Sequence, residues 1–401
     1  MKNFKKLSWY VLPIALLLSS CKEDDEAAQP TPNKPNTEAI VLEDIKVKTV
    51  LEDRNTDPQV ADYFVKQDVR VMAELTIKPG VVIAFAENTG LSVEEAGGIL
   101  IAKGEPTNKI VFTGEGAHRG FWKGITVFSN SQANEFSHTE IKYAGSYPTL
   151  FNQKAALSVF KEAKVAVKNT LIMQSGGYGL HLAEHSILNS FAANTFKDNL
   201  EAPLLTAVQN IPKLDGATAF TGNNGRDIIE VTSSSITGTG EVVWPAFTDK
   251  TPYRFLGRVT AQTGWKLSPG ITIEVVENQM IDVEDGYLNA VGTPEKKITF
   301  TGVIKTGASW NGILFYTHNP ANVMKQVQIS YAGANSLLSG VKSSIALFGT
   351  DAANLTITQS SISHSGGYGI HVYGQDATLN ADAETSNTFT ANALKSVYYE
   401  D

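Results

Sequence analysis

The sequence predicts an all-β chain wound as a parallel β-helix, a solenoid of stacked coils, and three observations carry that prediction. Its strands are short, each closing on Gly, Asn, Pro or Asp, and strong helical patterns are missing along the 401 residues. Apolar strands recur inside the chain at intervals of 23 to 32 residues, at Ile99, Ile125, Leu157 and Leu180. On a larger scale the chain repeats itself at an offset of 188 to 190 residues.

The long repeat is seen in ordered pairs. Residues 175–182 read SGGYGLHL and residues 365–372 read SGGYGIHV. Lys78-Pro79-Gly80 returns as Ser268-Pro269-Gly270, and Phe112-Thr113-Gly114 as Phe300-Thr301-Gly302. Trp122-Lys123-Gly124-Ile125 returns as Trp310-Asn311-Gly312-Ile313, and Tyr143-Ala144-Gly145 as Tyr331-Ala332-Gly333. The order is kept throughout, so the chain reads as a tandem duplication of two modules of about 190 residues. Residues present in both copies serve the scaffold, whereas a binding surface is expected where the copies differ.

At the N-terminus, Lys2, Lys5 and Lys6 precede an apolar run from Trp9 to Leu18 that ends in Leu18-Ser19-Ser20-Cys21. The run is an export signal, too short to span a bilayer. Its end resembles the bacterial lipobox, which implies cleavage before Cys21 and acylation of its thiol. Cys21 is the only cysteine of the chain, and lipidation explains both its presence and the lack of others. Residues 22–26 (KEDDE) follow as a solvated acidic run, and residues 27–38 as a proline-bearing spacer. The acidic run resembles the export tract of surface lipoproteins of the Bacteroidetes type, which implies an outer-membrane anchor with the folded part facing the cell exterior. The expected organisation is a signal over residues 1–20, a tether over 21–39, a first module with an N-terminal cap over 40–245 and a second over 246–401.

The formal charge of −8 includes the three signal lysines, so cleavage leaves the chain near −11. A balance of this kind opposes nucleic-acid binding and adsorption to an anionic bilayer.

Strands are expected at residues 75–77, 81–85, 99–102, 110–112, 124–128, 140–143, 156–160, 165–167, 171–173 and 179–182. A β-sandwich would need longer strands and tight hairpin turns, and those signals are scarce. With about four coils per module the body would hold on the order of eight to ten coils, a rod roughly 40–50 Å long at about 4.8 Å per coil. Residues 40–70 and 389–401 are expected to close its ends. Gly176-Gly177 and Gly366-Gly367 are expected at turns that need positive φ.

On these repeats, and on the segment that introduces each module (Tyr253-Arg254-Phe255 with Leu267-Ser268-Pro269-Gly270 in the second, Tyr63-Phe64-Val65 with Ile77-Lys78-Pro79-Gly80 in the first), the chain resembles the right-handed parallel β-helix proteins of the pectin-lyase-like superfamily. The first copy lacks the introductory Trp244 of the second. The resemblance implies architecture over residues 60–400 and leaves activity open, because the fold hosts lyases, hydrolases, adhesins and stalks.

Candidate contacts follow from both kinds of position. Tyr178 with His181 and Tyr368 with His371 occupy the same slots of the repeated octapeptide and form a pair of glycan-contact candidates. Alternation sends His181 away from Leu180 and Leu182, to the outer surface. Arg119, Phe121, Tyr147 and Phe151 lie where the copies disagree, and suit carbohydrate or protein contact. Glu94-Glu95 aligns with Glu284-Asp285, beside Asp282. Oxygen ligands of that type suit Ca²⁺, but no specific motif supports the ion and no cofactor is expected. A lyase needs carboxylates with a basic residue, and the six arginines (Arg54, Arg70, Arg119, Arg226, Arg254, Arg258) complete no such set. A hydrolase needs converging acids, which the sequence does not assemble. The reading is a surface-anchored protein presenting a rigid face for a glycan or a surface protein. A polysaccharide lyase or hydrolase is the alternative, and a structural part of a surface assembly the third reading.

Overall fold

The structure, a computed structural model, describes residues 38–55, 57–149 and 152–401. Residues 37–401 make one compact unit with one continuous apolar core that runs from Leu42 to Val397. Every named strand pair is parallel, and the strands fall into five sheets. The chain is a parallel β-helix.

A single 13-stranded sheet runs the length of the stack. Its inward residues form one apolar ladder, of which Val69, Leu91, Ile125, Leu157, Leu180, Leu204 and Ile229 are consecutive rungs. The ladder continues through Tyr253, Ile273, Phe300, Ile329 and Ile362 to Phe389. Each buried aliphatic rung contributes about 1.5–3 kcal/mol, so stacking of identical positions dominates the stability of the fold.

Thirteen rungs exceed the expected eight to ten coils, and at about 4.8 Å per rung they give a stack roughly 60 Å long. The undercount arose because coils are as short as the 20 residues between register partners Tyr253 and Ile273, and because the segments expected to close the ends are themselves rungs. Ile40–Val41 and Thr49–Leu51 begin two sheets, while Thr388–Thr390 and Val397–Glu400 end two others. Ile125, Leu157 and Leu180 are register partners as expected, but Ile99 belongs to another face, and Leu91 takes its place. Strands of neighbouring faces are too alike in composition for their face to be read from sequence.

The two copies join with an offset of one face. Val82–Phe85 and Thr272–Val275 are equivalent in the repeat, yet the first lies in a seven-stranded sheet and the second in the 13-stranded one. Gly124–Val127 lies in the 13-stranded sheet, whereas its equivalent Gly312–Phe315 lies in the second seven-stranded sheet. The sheet that spans the stack is thus built from the second face of one copy and the first face of the other.

Equivalent positions nonetheless do equivalent work. Trp122 and Trp310 are fully buried and donate Nε1–H to the carbonyls of Lys142 and Ser330, at 2.7 and 2.9 Å. Asn134 and Asn322 are buried in turns, where their Oδ1 atoms accept from the amides of Leu100 and Leu288. Such side chains satisfy backbone groups that the turns would otherwise leave unpaired. Leu51 stands in register where the second copy has Trp244, which packs 5.0 Å from Trp265.

Candidate functional site

The repeated octapeptide packs tightly against the neighbouring coil. Gly176, Gly177, Gly366 and Gly367 do not take positive φ; Gly145 and Gly333, beside them, do. Glycine is required at 177 and 367 because a Cβ there would strike the carbonyl oxygens of Lys154 and Lys342. Close approach of neighbouring coils, rather than turn conformation, selects the residue.

Tyr178 is buried and donates its hydroxyl to Glu230 Oε2 at 2.6 Å. Arg226 Nε holds the other oxygen of Glu230 at 2.8 Å, and Arg226 Nη2 reaches Glu201 at 2.5 Å. Burial and the Glu230 carboxylate push the Tyr178 phenol well above its usual range. In the second copy Tyr368 stacks instead on Tyr398, with ring centroids 4.6 Å apart.

His181 lies on the outer side of its sheet, as alternation requires, but it is 4% exposed rather than solvent-facing. Its edge meets Phe160 at 5.3 Å, and burial pushes its pKa down to about 4. His371 is fully buried, with Nε2 2.7 Å from Glu400 Oε2 and its ring stacked on Tyr398 at 5.5 Å. Burial lowers its pKa while Glu400 pulls it the other way. Alternation tells which side of a sheet a residue takes, and nothing of what covers that side.

The loops where the copies differ do not bring all four candidates together. Arg119 is exposed. Phe121 is held at its own turn: its ring meets His118 edge-on at 5.1 Å and lies over Gly114 and Gly116. Tyr147 is 61% exposed and borders a cavity of about 160 Å³ that neither Arg119 nor Phe121 lines. Phe151 lies outside the described residues, as does Cys21.

The Tyr147 cavity is the most suggestive of these features. Its floor is Gly90, Leu91 and Gly124, its wall carries the hydroxyls of Ser92 and Thr126, and residues 147–149 form its rim. A Cβ at Gly124 would meet the carbonyl oxygens of Ala155 and Ala156 at 2.7 and 2.8 Å, which keeps the floor flat. Lys123 and Asp68 pair across one end at 2.5 Å. Ser158 and His181 continue the row from Ser92 and Thr126, and their Oγ and Nδ1 are buried without a hydrogen-bond partner.

The same place in the second copy is sealed. Met280, Leu314 and Ala346 replace Gly90, Thr126 and Ser158, and Leu337 packs into them at 9% exposure. Asn335, which replaces Tyr147, donates to the Oδ1 atoms of Asn278 and Asn311 at 2.8 and 3.1 Å and so pins that loop down. Lys123 in place of Asn311 and Tyr147 in place of Asn335 remove the clasp from the first copy. Side-by-side reading of the copies could have found this exchange of hydroxyl for apolar groups.

The acidic candidates fall into two groups. Asp282 takes the position of Ser92 and is fully buried, paired with Arg258. Burial outweighs that partner and pushes Asp282 up to about 6, and its Oδ1 has no hydrogen-bond partner. Glu284 reaches the same Arg258 guanidinium at 3.5 Å and, with Asp285, borders an open depression lined also by Tyr316 and Asp351. Glu95 pairs with Lys161 at 2.8 Å, and Glu94 accepts from Ser92 Oγ at 2.6 Å. Among the described residues, no group of three or more His, Cys, Asp or Glu side chains is arranged to hold a metal ion. What the arrangement offers is a flat floor, hydroxyls and an exposed aromatic edge.

In comparisons with family models, curated proteins and solved structures, the chain matches none.

Proposed function

We propose that the chain is a lipid-anchored β-helix held at the outer membrane through Cys21, displaying a rigid glycan-binding face to the exterior. The Tyr147 cavity is its contact site. The observation that carries this reading is the contrast between copies. One copy keeps an open, hydroxyl-lined cavity beside a 61% exposed tyrosine, and the other fills it with Leu337. Sugar rings present apolar faces to aromatic side chains and hydroxyls to polar walls, so Tyr147 supplies a stacking surface while Ser92 and Thr126 supply hydrogen bonds. The likeness to pectin-lyase-like surface proteins agrees with this reading and is part of the proposal.

The test is binding of the chain to a glycan array, with Tyr147→Ala in parallel. An aromatic contact worth about 0.5–1.5 kcal/mol predicts roughly a 2- to 12-fold loss of affinity. Absence of binding above background, or binding that ignores Tyr147→Ala, would overturn the assignment. Protease shaving of intact cells expressing the chain and Cys21→Ala tests the address: wild type should be cleaved at the surface, and the variant should leave the membrane fraction.

A further inference from the structure

We propose that a second site, a lysine-lined groove on the second copy, binds sulfated polysaccharide. The groove has a volume of about 680 Å³ and runs beside the turns that lead into Tyr253–Phe255, Thr272–Val275 and Ile298–Gly302. Lys250, Lys296 and Lys297 line it, and Glu295 is the one carboxylate among its lining residues. None of the three lysines makes an ion pair among the described residues, although the chain carries a formal charge of −8.

The first copy supplies the comparison. An equivalent groove of about 420 Å³ lies at Gly80 and residues 106–109, matching Gly270 and residues 294–297. There Asp53 and Glu140 face Lys109 and Lys142, and Glu140 holds both lysines, at 3.0 and 3.5 Å. In the second copy Gln328 stands at the place of Glu140, Ser330 at that of Lys142 and Lys296 at that of Asn108. Removal of the carboxylate that would bind Lys297, with gain of Lys296 and Lys250, turns a neutral groove into a cationic one. An exposed turn needs no such charge for folding, and unpaired ammonium groups facing one groove repel one another, so the arrangement is suited to an anion.

The groups present narrow the class. The groove has lysines and no arginine. Lysines meet an oxyanion as point charges, without the bidentate geometry that arginine's planar fork offers carboxylate and phosphate. Lys250 and Lys296 stand two coils apart, about 10 Å along the stack, so the ligand carries charge at more than one place along an extended chain. The one aromatic ring at the groove, Phe247, is 7% exposed and offers no platform for a nucleobase. Sulfate esters on a polysaccharide meet these terms, a choice that rests on the glycan reading above.

The test is affinity electrophoresis of the full chain in gels containing dextran sulfate, polygalacturonate, unmodified dextran, a phosphorylated mannan or single-stranded DNA, at low and high salt. Dextran sulfate should retard the chain, with retardation falling as salt rises, while unmodified dextran should not. Lys296→Glu with Lys297→Glu should weaken that binding at least ~10-fold, and Gln328→Glu, which restores the carboxylate of the first copy, about 3-fold. Lys161→Glu, remote from the groove, should leave it unchanged. Equal retardation by unmodified dextran, by polygalacturonate, by the phosphorylated mannan or by DNA would overturn the sulfate assignment, as would Lys296/Lys297 and Gln328 variants that bind like wild type. Loss of binding in Tyr147→Ala alone would move the ligand to the first copy and refute this site while sparing the glycan reading. Glycan-array binding without any response to dextran sulfate would do the same.

Discussion

Asp282→Asn and His181→Gln should change the pH dependence of stability in opposite directions. His181 has an ordinary pKa of 6.5 and a folded value of about 4. Its folded value is depressed, so the unfolded chain binds the proton more readily, and stability present above pH 6.5 is lost as pH falls toward 4. The difference of 2.5 units corresponds to about 3 kcal/mol. Asp282 rises from 3.8 to about 6 in the fold. The fold favours its protonated form, so its contribution is full below pH 3.8 and is lost as pH rises through 6, again by about 3 kcal/mol. In the wild type the two nearly cancel between pH 7 and 4. Relative to wild type, Asp282→Asn should therefore lose about 3 kcal/mol over that interval and His181→Gln should gain about as much. Urea unfolding followed by fluorescence is a suitable assay, because Trp122, Trp244, Trp265 and Trp310 are all fully buried. Other titrating groups cancel in the differences from wild type. Stability differences that stay flat between pH 7 and 4 would refute the account of both burials.

Three further outcomes are expected. Gly177→Ala should prevent native folding or cost more than ~4 kcal/mol, because the new methyl meets backbone, whereas Gly307→Ala, with open space around it, should be near neutral by thermal melting. Asn134→Ala leaves the Leu100 amide without its acceptor and takes a donor from the carbonyls of Ser129 and Lys164, and should cost about 2–4 kcal/mol in urea unfolding. Tyr178→Phe removes a buried hydrogen bond to Glu230 and should cost about 1.5–3 kcal/mol, with no loss of glycan binding if the octapeptide is scaffold. Reduced glycan binding in that variant, at unchanged stability, would return Tyr178 to the ligand site.

Local order was legible in the sequence because each coil writes its own alternation. The expected strands over residues 81–85, 110–112 and 171–173 match Val82–Phe85, Ile110–Gly114 and Leu171–Met173 within a residue or two. Gly90–Val93 and Ile187–Ala192 went unread, the first hidden by its small residues and the second by exposed positions. Facts that depend on the stacking of distant coils were beyond reach. Glu230 lies 52 residues from Tyr178, and their bond exists because two turns of the coil bring them onto one sheet with a single strand between. Likewise Lys250 and Lys296 line one groove only because two turns of the coil stack them on the same side. Tyr147 was visible as a difference between copies; its separation from Arg119 and Phe121 was set by how each turn folds back on its own glycines.

The offset of one face at the junction bears on how many ligands one molecule can hold. With three faces to a coil, equivalent loops of the two copies point about a third of a turn apart around the axis. The Tyr147 loop and the Leu337 loop thus look in different directions, as do the neutral and lysine grooves that match in sequence. A straight polymer lying along the stack can follow one azimuth only, so it cannot engage a loop and its counterpart together. On the proposed reading, the two sequence-equivalent surfaces would therefore hold separate strands at an angle rather than one strand along the stack.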